Sequence, residues 1–234
     1  MLVRCIWEHN GEDTLLWAED LPGAYTRGKS LREAMAKMPA EAASFLKWRG
    51  VFITEPVTTE VAEDRPCDLN VRDADSDVLF GAEDAPLTRE EYETLKALAL
   101  KSAADFQTLY DAVPDKDVSA LPRRKTFYGD APRTAREMYD HTKSVNDYYF
   151  GEIGAETDHD GGIAECRARG FSALEQLPRF LEMPASEGSY GEFWSLRKVL
   201  RRFLWHDRIH GKAMYRMAKK TFGEGSVPDV FNLE

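Results

Sequence analysis

The chain has 234 residues, 43% of them apolar and 31% charged, and 31 Lys and Arg stand against 41 Asp and Glu for a formal charge of -10. That apolar content closes a folded core and excludes a disordered or collagen-like chain, while the acidic balance argues against nucleic acid as partner. The three cysteines form no Cys-x-x-Cys pair, no apolar run is long enough for a membrane span, and no signal-peptide centre follows Met1, so the expected setting is reducing and cytoplasmic.

Residues 1–62 read as strand, strand, strand, helix, strand. Leu2 to Trp7 is rich in strand formers, Asn10-Gly11 is a hairpin signal, and Thr14 to Trp17 is the return strand. Leu21-Pro22-Gly23 turns the chain into a short segment, Ala24 to Thr26. Ser30 and Glu33 form a capping box, opening a helix with Leu31, Ala34, Met35, Met38, Ala42 and Phe45 at helical spacing, which should stop near Gly50. The Val- and Thr-rich run Val51 to Val61 predicts a further strand. Residues 63–87 hold eight acidic side chains against Arg65 and Arg72 alone, which predicts an acidic linker or surface strand anchored by Val78 to Phe80.

From residue 88 the period becomes helical. Thr88/Glu91 and Thr134/Glu137 are capping boxes and Ser195 is a candidate cap, which predicts helices near 89–113, 134–153, 162–182 and 190–221. The fold class is therefore α+β, with residues 88–234 as an all-α bundle.

A 3,4 spacing marks the seams. It selects Tyr92, Leu95, Ala99, Ser102, Phe106, Leu109 and Val113 in the first of these helices, and Leu196, Val199, Phe203, His206, His210, Ala213 and Met217 in the last. In the second it selects Thr134, Met138, His141, Val145 and Tyr148, so three of the five histidines fall on seams. Residues four apart share a helix face, so His206 and His210 can reach one ion, and His141 from a neighbouring helix completes a three-nitrogen face with an open position. A single seam histidine reads as a core residue with one hydrogen bond; three together would each need a partner, which one divalent ion supplies. Imidazoles suit zinc, nickel, copper or ferrous iron, with zinc or nickel placed first.

Glu137, Asp140 and Asp207 are candidate acceptors for imidazole N–H groups and equally read as solvated helix residues. His9 and His159 read as exposed, and Trp194, Trp205 and Tyr215 as packing. The basic residues of the last helix, Arg197 to Lys220, read as a solvated face answering the acidic segment, ahead of an anion-binding rim. No Gly-x-Gly-x-x-Gly, phosphate loop or Gly-x-Ser-x-Gly is present, and no catalytic residue is singled out.

The stretch Thr134-Ala-Arg-Glu-Met-Tyr-Asp-His141, with Leu200-Arg-Arg-Phe-Leu-Trp-His206-Asp-Arg-Ile-His210, resembles the DinB-like four-helix superfamily over roughly residues 88–222. The resemblance implies a divalent ion on His141, His206 and His210, and a reaction such as those of the superfamily's bacillithiol- or mycothiol-using transferases or its mycothiol-dependent isomerase. Residues 1–62, with Trp17-Ala-Glu-Asp-Leu-Pro-Gly23 and Thr26-Arg-Gly-Lys-Ser-Leu-Arg-Glu-Ala34, are similar to the HicB antitoxin fold, although a helical bundle stands where a DNA-binding tail usually follows. Two functions are therefore expected to compete. One is metal-dependent transfer to a small-molecule substrate with a low-molecular-weight thiol, hydrolysis being its nearest variant; the other is a regulatory module whose first domain docks a protein partner. The resemblance also implies a homodimer, for which the residues give no independent sign.

Overall fold

In the computed structural model, which describes residues 1–234, the first half builds a mixed sheet from β1 (Leu2–Asn10), β2 (Asp13–Ala18), β3 (Tyr25–Gly28) and β4 (Thr58–Pro66), in the order β3-β2-β1-β4. The β1–β2 hairpin turns where Asn10 meets Asp13, with Gly11 at φ 60, and α1 (Leu31–Trp48) carries the chain across to β4, parallel to β1. Alternate side chains of the sheet serve two cores. Val3, Cys5, Leu16 and Ala18 face Ala34, Met38 and Phe45 of α1, while Ile6, Leu15 and Trp17 pack with Val71, Phe80 and Trp205. Both faces of the sheet are covered by the chain itself.

The second half is α2 (Arg89–Ala112), α3 (Ala135–Gly151), α4 (Ile163–Leu174) and α5 (Leu196–Phe222), so the chain is α+β, a four-stranded sheet followed by helices. The capping boxes at Thr88 and Thr134 close as their sequence predicts, and Ser195 Oγ accepts the Lys198 backbone N–H. Helices α2 and α3 each pack against both α4 and α5. α5 is buried all round from Lys198 to Arg208, and Met214 and Met217 join the core that also holds Phe45.

Three expectations are corrected. The last strand of the sheet is Thr58–Pro66, not 51–61; Val51 and Phe52 are exposed, and β4 is an edge strand held by its backbone pairing to β1, which its mostly exposed side chains do not advertise. The third bundle helix stops at Leu174 and not at 182, because Pro178 lacks an N–H and disfavours helix at Leu177. The last helix begins at 196, the preceding residues forming a turn and a short strand pair of Ser186–Glu187 with Phe193–Trp194.

The basic helix is also not simply solvated. Lys198, Arg201, Arg202 and Arg208 are buried, and they do answer the acidic segment: Arg201 Nη2 bonds Glu83 Oε2 at 3.0 Å and the Val78 carbonyl at 2.8 Å, and Arg202 donates to the Ser76 carbonyl at 2.9 Å. With Val71, Ser76, Val78 and Phe80 buried, residues 71–83 are packed down on α5 by these bonds.

Glu8, 1% exposed, lies in this layer. Its Oε2 accepts Trp17 Nε1–H at 3.0 Å and Ser76 Oγ–H at 2.7 Å, whereas Oε1 is buried without a partner. Burial raises its pKa, against the opposing effect of those two bonds and of Arg201 and Arg202. The folded chain therefore holds this proton more tightly than the unfolded chain, and the ionised form lowers stability as pH rises through the folded pKa. Glu8→Gln should raise Tm at about pH 8 and leave it nearly unchanged at about pH 3, below the unfolded and the folded pKa alike, where both states are protonated. An equal loss of Tm at both values would mean that carboxylate shape, not charge, governs the position.

Candidate metal centre

Four residues along one helix face bring the His206 and His210 rings to a centroid separation of 4.5 Å. α3 runs beside them and places the His141 ring 5.0 Å from His206 and 4.7 Å from His210. One ligand nitrogen from each lies within 4.8 Å of the others, so the three histidines expected to share an ion are brought together. Nitrogens around one ion at about 2.0–2.1 Å stand about 3.4 Å apart, so a side-chain adjustment on the order of 1 Å closes the set.

The electrostatics suit a cation. Burial holds the His206 pKa well below its ordinary value, reinforced by His210, His141, Arg202 and Arg167. Burial and the neighbouring His141, with a smaller effect of Arg27, bring His210 to about 3, and burial lowers His141 as well. All three rings are therefore neutral at neutral pH and offer lone pairs. His206 Nδ1 is buried with no hydrogen-bond partner, a vacancy in the local bonding that buried polar groups rarely tolerate. The donor set and this orphaned nitrogen fit a divalent transition ion, and the three nitrogens leave at least one coordination position for a small molecule.

The seam on α3 is displaced from the expected one. Met138, Thr142, Asn146 and Tyr149 are buried, whereas His141, Val145 and Tyr148 lie half-buried at its margin. That margin is covered by a feature the helical pattern did not disclose: a small hairpin pairing Lys125–Thr126 with Gly129–Asp130, whose Tyr128 ring lies parallel to His141 at 6.2 Å. The local cue was Tyr128-Gly129-Asp130, Gly129 adopting φ 118. On the inner side Tyr149 meets the His206 ring edge-on at 6.1 Å, and Trp205 flanks it at 6.0 Å.

None of the three candidate carboxylates bonds an imidazole. Glu137 accepts the Arg133 and Thr134 backbone N–H groups, Asp140 is exposed, and Asp207 faces Arg167. His159 is exposed beside Asp147, but His9 is half-buried, stacked on Trp7 at 3.9 Å and bonded to Asp64 at 2.9 Å. Trp194 and Trp205 are packed in the core, as expected. No helix is long and apolar enough to cross a membrane. In comparisons with known proteins, the chain matches no family model, no curated protein and no solved structure.

Proposed function

We propose that the helical half is a DinB-like metal-binding bundle, preceded by a HicB-like scaffold, and that it holds one divalent transition ion on His141, His206 and His210 for group transfer to a small molecule with a low-molecular-weight thiol. The convergence of three neutral imidazoles, one with an orphaned nitrogen, is the observation that carries this reading. Zinc or nickel suits the all-nitrogen set, with iron behind them. Such an ion supplies Lewis acidity, lowering the pKa of a thiol or water enough to give a nucleophile at neutral pH.

The chain's own part is to hold and to exclude. His206 and His210 are fixed by a helix buried in the core, and His141 by the margin of α3. Tyr149 and Trp205 wall off His206 from bulk water, which strengthens electrostatic effects at the site, and Tyr128 forms the outer wall. With no carboxylate bonded to an imidazole, positioning rather than proton transfer by a protein acid or base is the contribution assigned to these residues. The covered faces of the sheet favour this reading over a regulatory module that docks a partner there.

Turnover of electrophilic substrates should be assayed with a panel of low-molecular-weight thiols and with water alone. Activity should be lost on chelation, return with added ion, and fall at least about a hundredfold in His141→Ala, whose half-buried ring can be removed with little harm to packing. A variant that has lost its ion yet turns over substrate at the parental rate would sink the mechanism.

A further inference from the structure

The C-terminal half of α5 carries a second arrangement, on a face turned away from the triad. Lys212 follows His210 by two residues and so projects about 200° around the helix. Lys212, Arg216, Lys219 and Lys220 form a row about 12 Å long on this part of α5. Across from it, β3 and α1 contribute Arg27 and Lys37, tied together where Lys37 Nζ donates to the Arg27 carbonyl at 2.8 Å. Between the two walls lies a cleft of about 780 Å³, a volume within the range of small-molecule sites.

Its charge runs against that of the chain. Six cations line the cleft against three carboxylates, Glu41, Glu224 and Glu234, in a protein of net charge -10. Those carboxylates are already engaged: Glu41 takes both Arg208 Nε at 2.8 Å and Lys212 Nζ at 2.6 Å, while Glu224 and Glu234 both pair with Lys219. Lys37 pairs with Glu33. Arg27, Arg216 and Lys220 are left in no ion pair, and Arg27 reaches only the Arg72 carbonyl at 3.4 Å. Complementing the α5 dipole accounts for cations in its last turn, but not for Arg27 and Lys37 on the facing wall.

The geometry points to this cleft as a binding site for a small polyanion with two or more linked phosphate groups, anchored by Arg27 on one wall and by Arg216 and Lys220 on the other. Two linked phosphates suit charges set along a row and on opposite walls, where a single monoanion would satisfy one wall. An extended nucleic acid would meet the acidic remainder of the surface. Glu234, held on Lys219, competes with the ligand for the same cation.

The test is calorimetric titration of the chelator-treated full chain with pyrophosphate, triphosphate and ATP. Saturable one-to-one binding that weakens with salt is expected. Arg216→Glu/Lys220→Glu changes two exposed side chains and should weaken binding at least about tenfold, or about 1.4 kcal/mol. Glu234→Gln should tighten it, and His141→Ala, at the half-buried margin of the triad, should leave it unchanged. Tighter binding of ATP than of triphosphate would assign part of the cleft to a nucleoside; equal binding would assign it to the phosphates alone. Absence of binding by all three probes, indifference to the double charge reversal, or loss in His141→Ala would each overturn the proposal. None of these results bears on the metal reading, because the protein is titrated without its ion.

Discussion

Purified without chelator, the chain should carry about one equivalent of a transition ion, and His206→Ala should carry almost none. Ligand deletion is severe here because only three protein nitrogens converge, and the two imidazoles left, His141 on α3 and His210 on α5, no longer make a three-nitrogen face. An ion that binds only the folded chain stabilises it by about 2.7 kcal/mol at a concentration one hundred times its Kd. In a chain of this size that corresponds to a rise in Tm of about 5–10 °C, absent from the variant. Burial of His206 also makes its truncation cost packing, so His141→Ala at the half-buried margin is the cleaner comparison and should lose the same Tm response. The depressed pKa values add a second signature. Three ordinary histidines at about pH 6 would release on the order of two protons on binding an ion, whereas this set, with all three pKa values lowered by burial, should release fewer, measurable from the dependence of the binding heat on buffer. Elemental analysis that finds no ion in the parent after titration with zinc, nickel and iron would remove the premise.

The triad was legible because helical spacing is a geometric rule: His206 and His210 four apart must share a face, and the 3,4 count turned His141 toward them. The count placed the α3 seam slightly off, since a helix beside a partly open pocket keeps one margin half-buried, and periodicity does not say which margin. The capping residues Thr88, Thr134 and Ser195 were legible for a similar local reason, a side-chain oxygen three residues from an orphan N–H. β4 was not, because an edge strand is held by backbone pairing to β1 and its side chains remain mostly exposed. The burial of Lys198, Arg201, Arg202 and Arg208 was hidden for another reason. Their partners, Glu192, Glu83, the Ser76 carbonyl and Glu41, come from three separate segments, and only the surplus of acids in 63–87 over local cations hinted that cations elsewhere must answer them.

Asp207→Asn should cost about 3–5 kcal/mol, the largest loss of stability expected from any single exchange of one polar side chain for another here. Arg167 on α4 and Asp207 on α5 are both sealed from water and meet through two parallel bonds of 3.0 Å. The same guanidinium donates to Asn146 Oδ1 on α3 and to the Ala99 carbonyl on α2, and lies 3.9 Å over the Phe203 ring. One side chain thus ties all four helices at the bundle axis, one residue from His206. Asparagine keeps the shape of Asp207 but leaves the arginine charge uncompensated in a site without water, where neutralisation by deprotonation is closed to a guanidinium. Replacing both ends, Arg167→Met with Asp207→Leu, removes both desolvation costs and should recover most of the loss, with Asn146 and Ala99 left one donor short. Urea unfolding of the parent, the single variant and the double variant decides the matter through the midpoint at constant slope. A single variant within about 1 kcal/mol of the parent would mean that water reaches the axis in solution and that the pair is not the tie its burial implies.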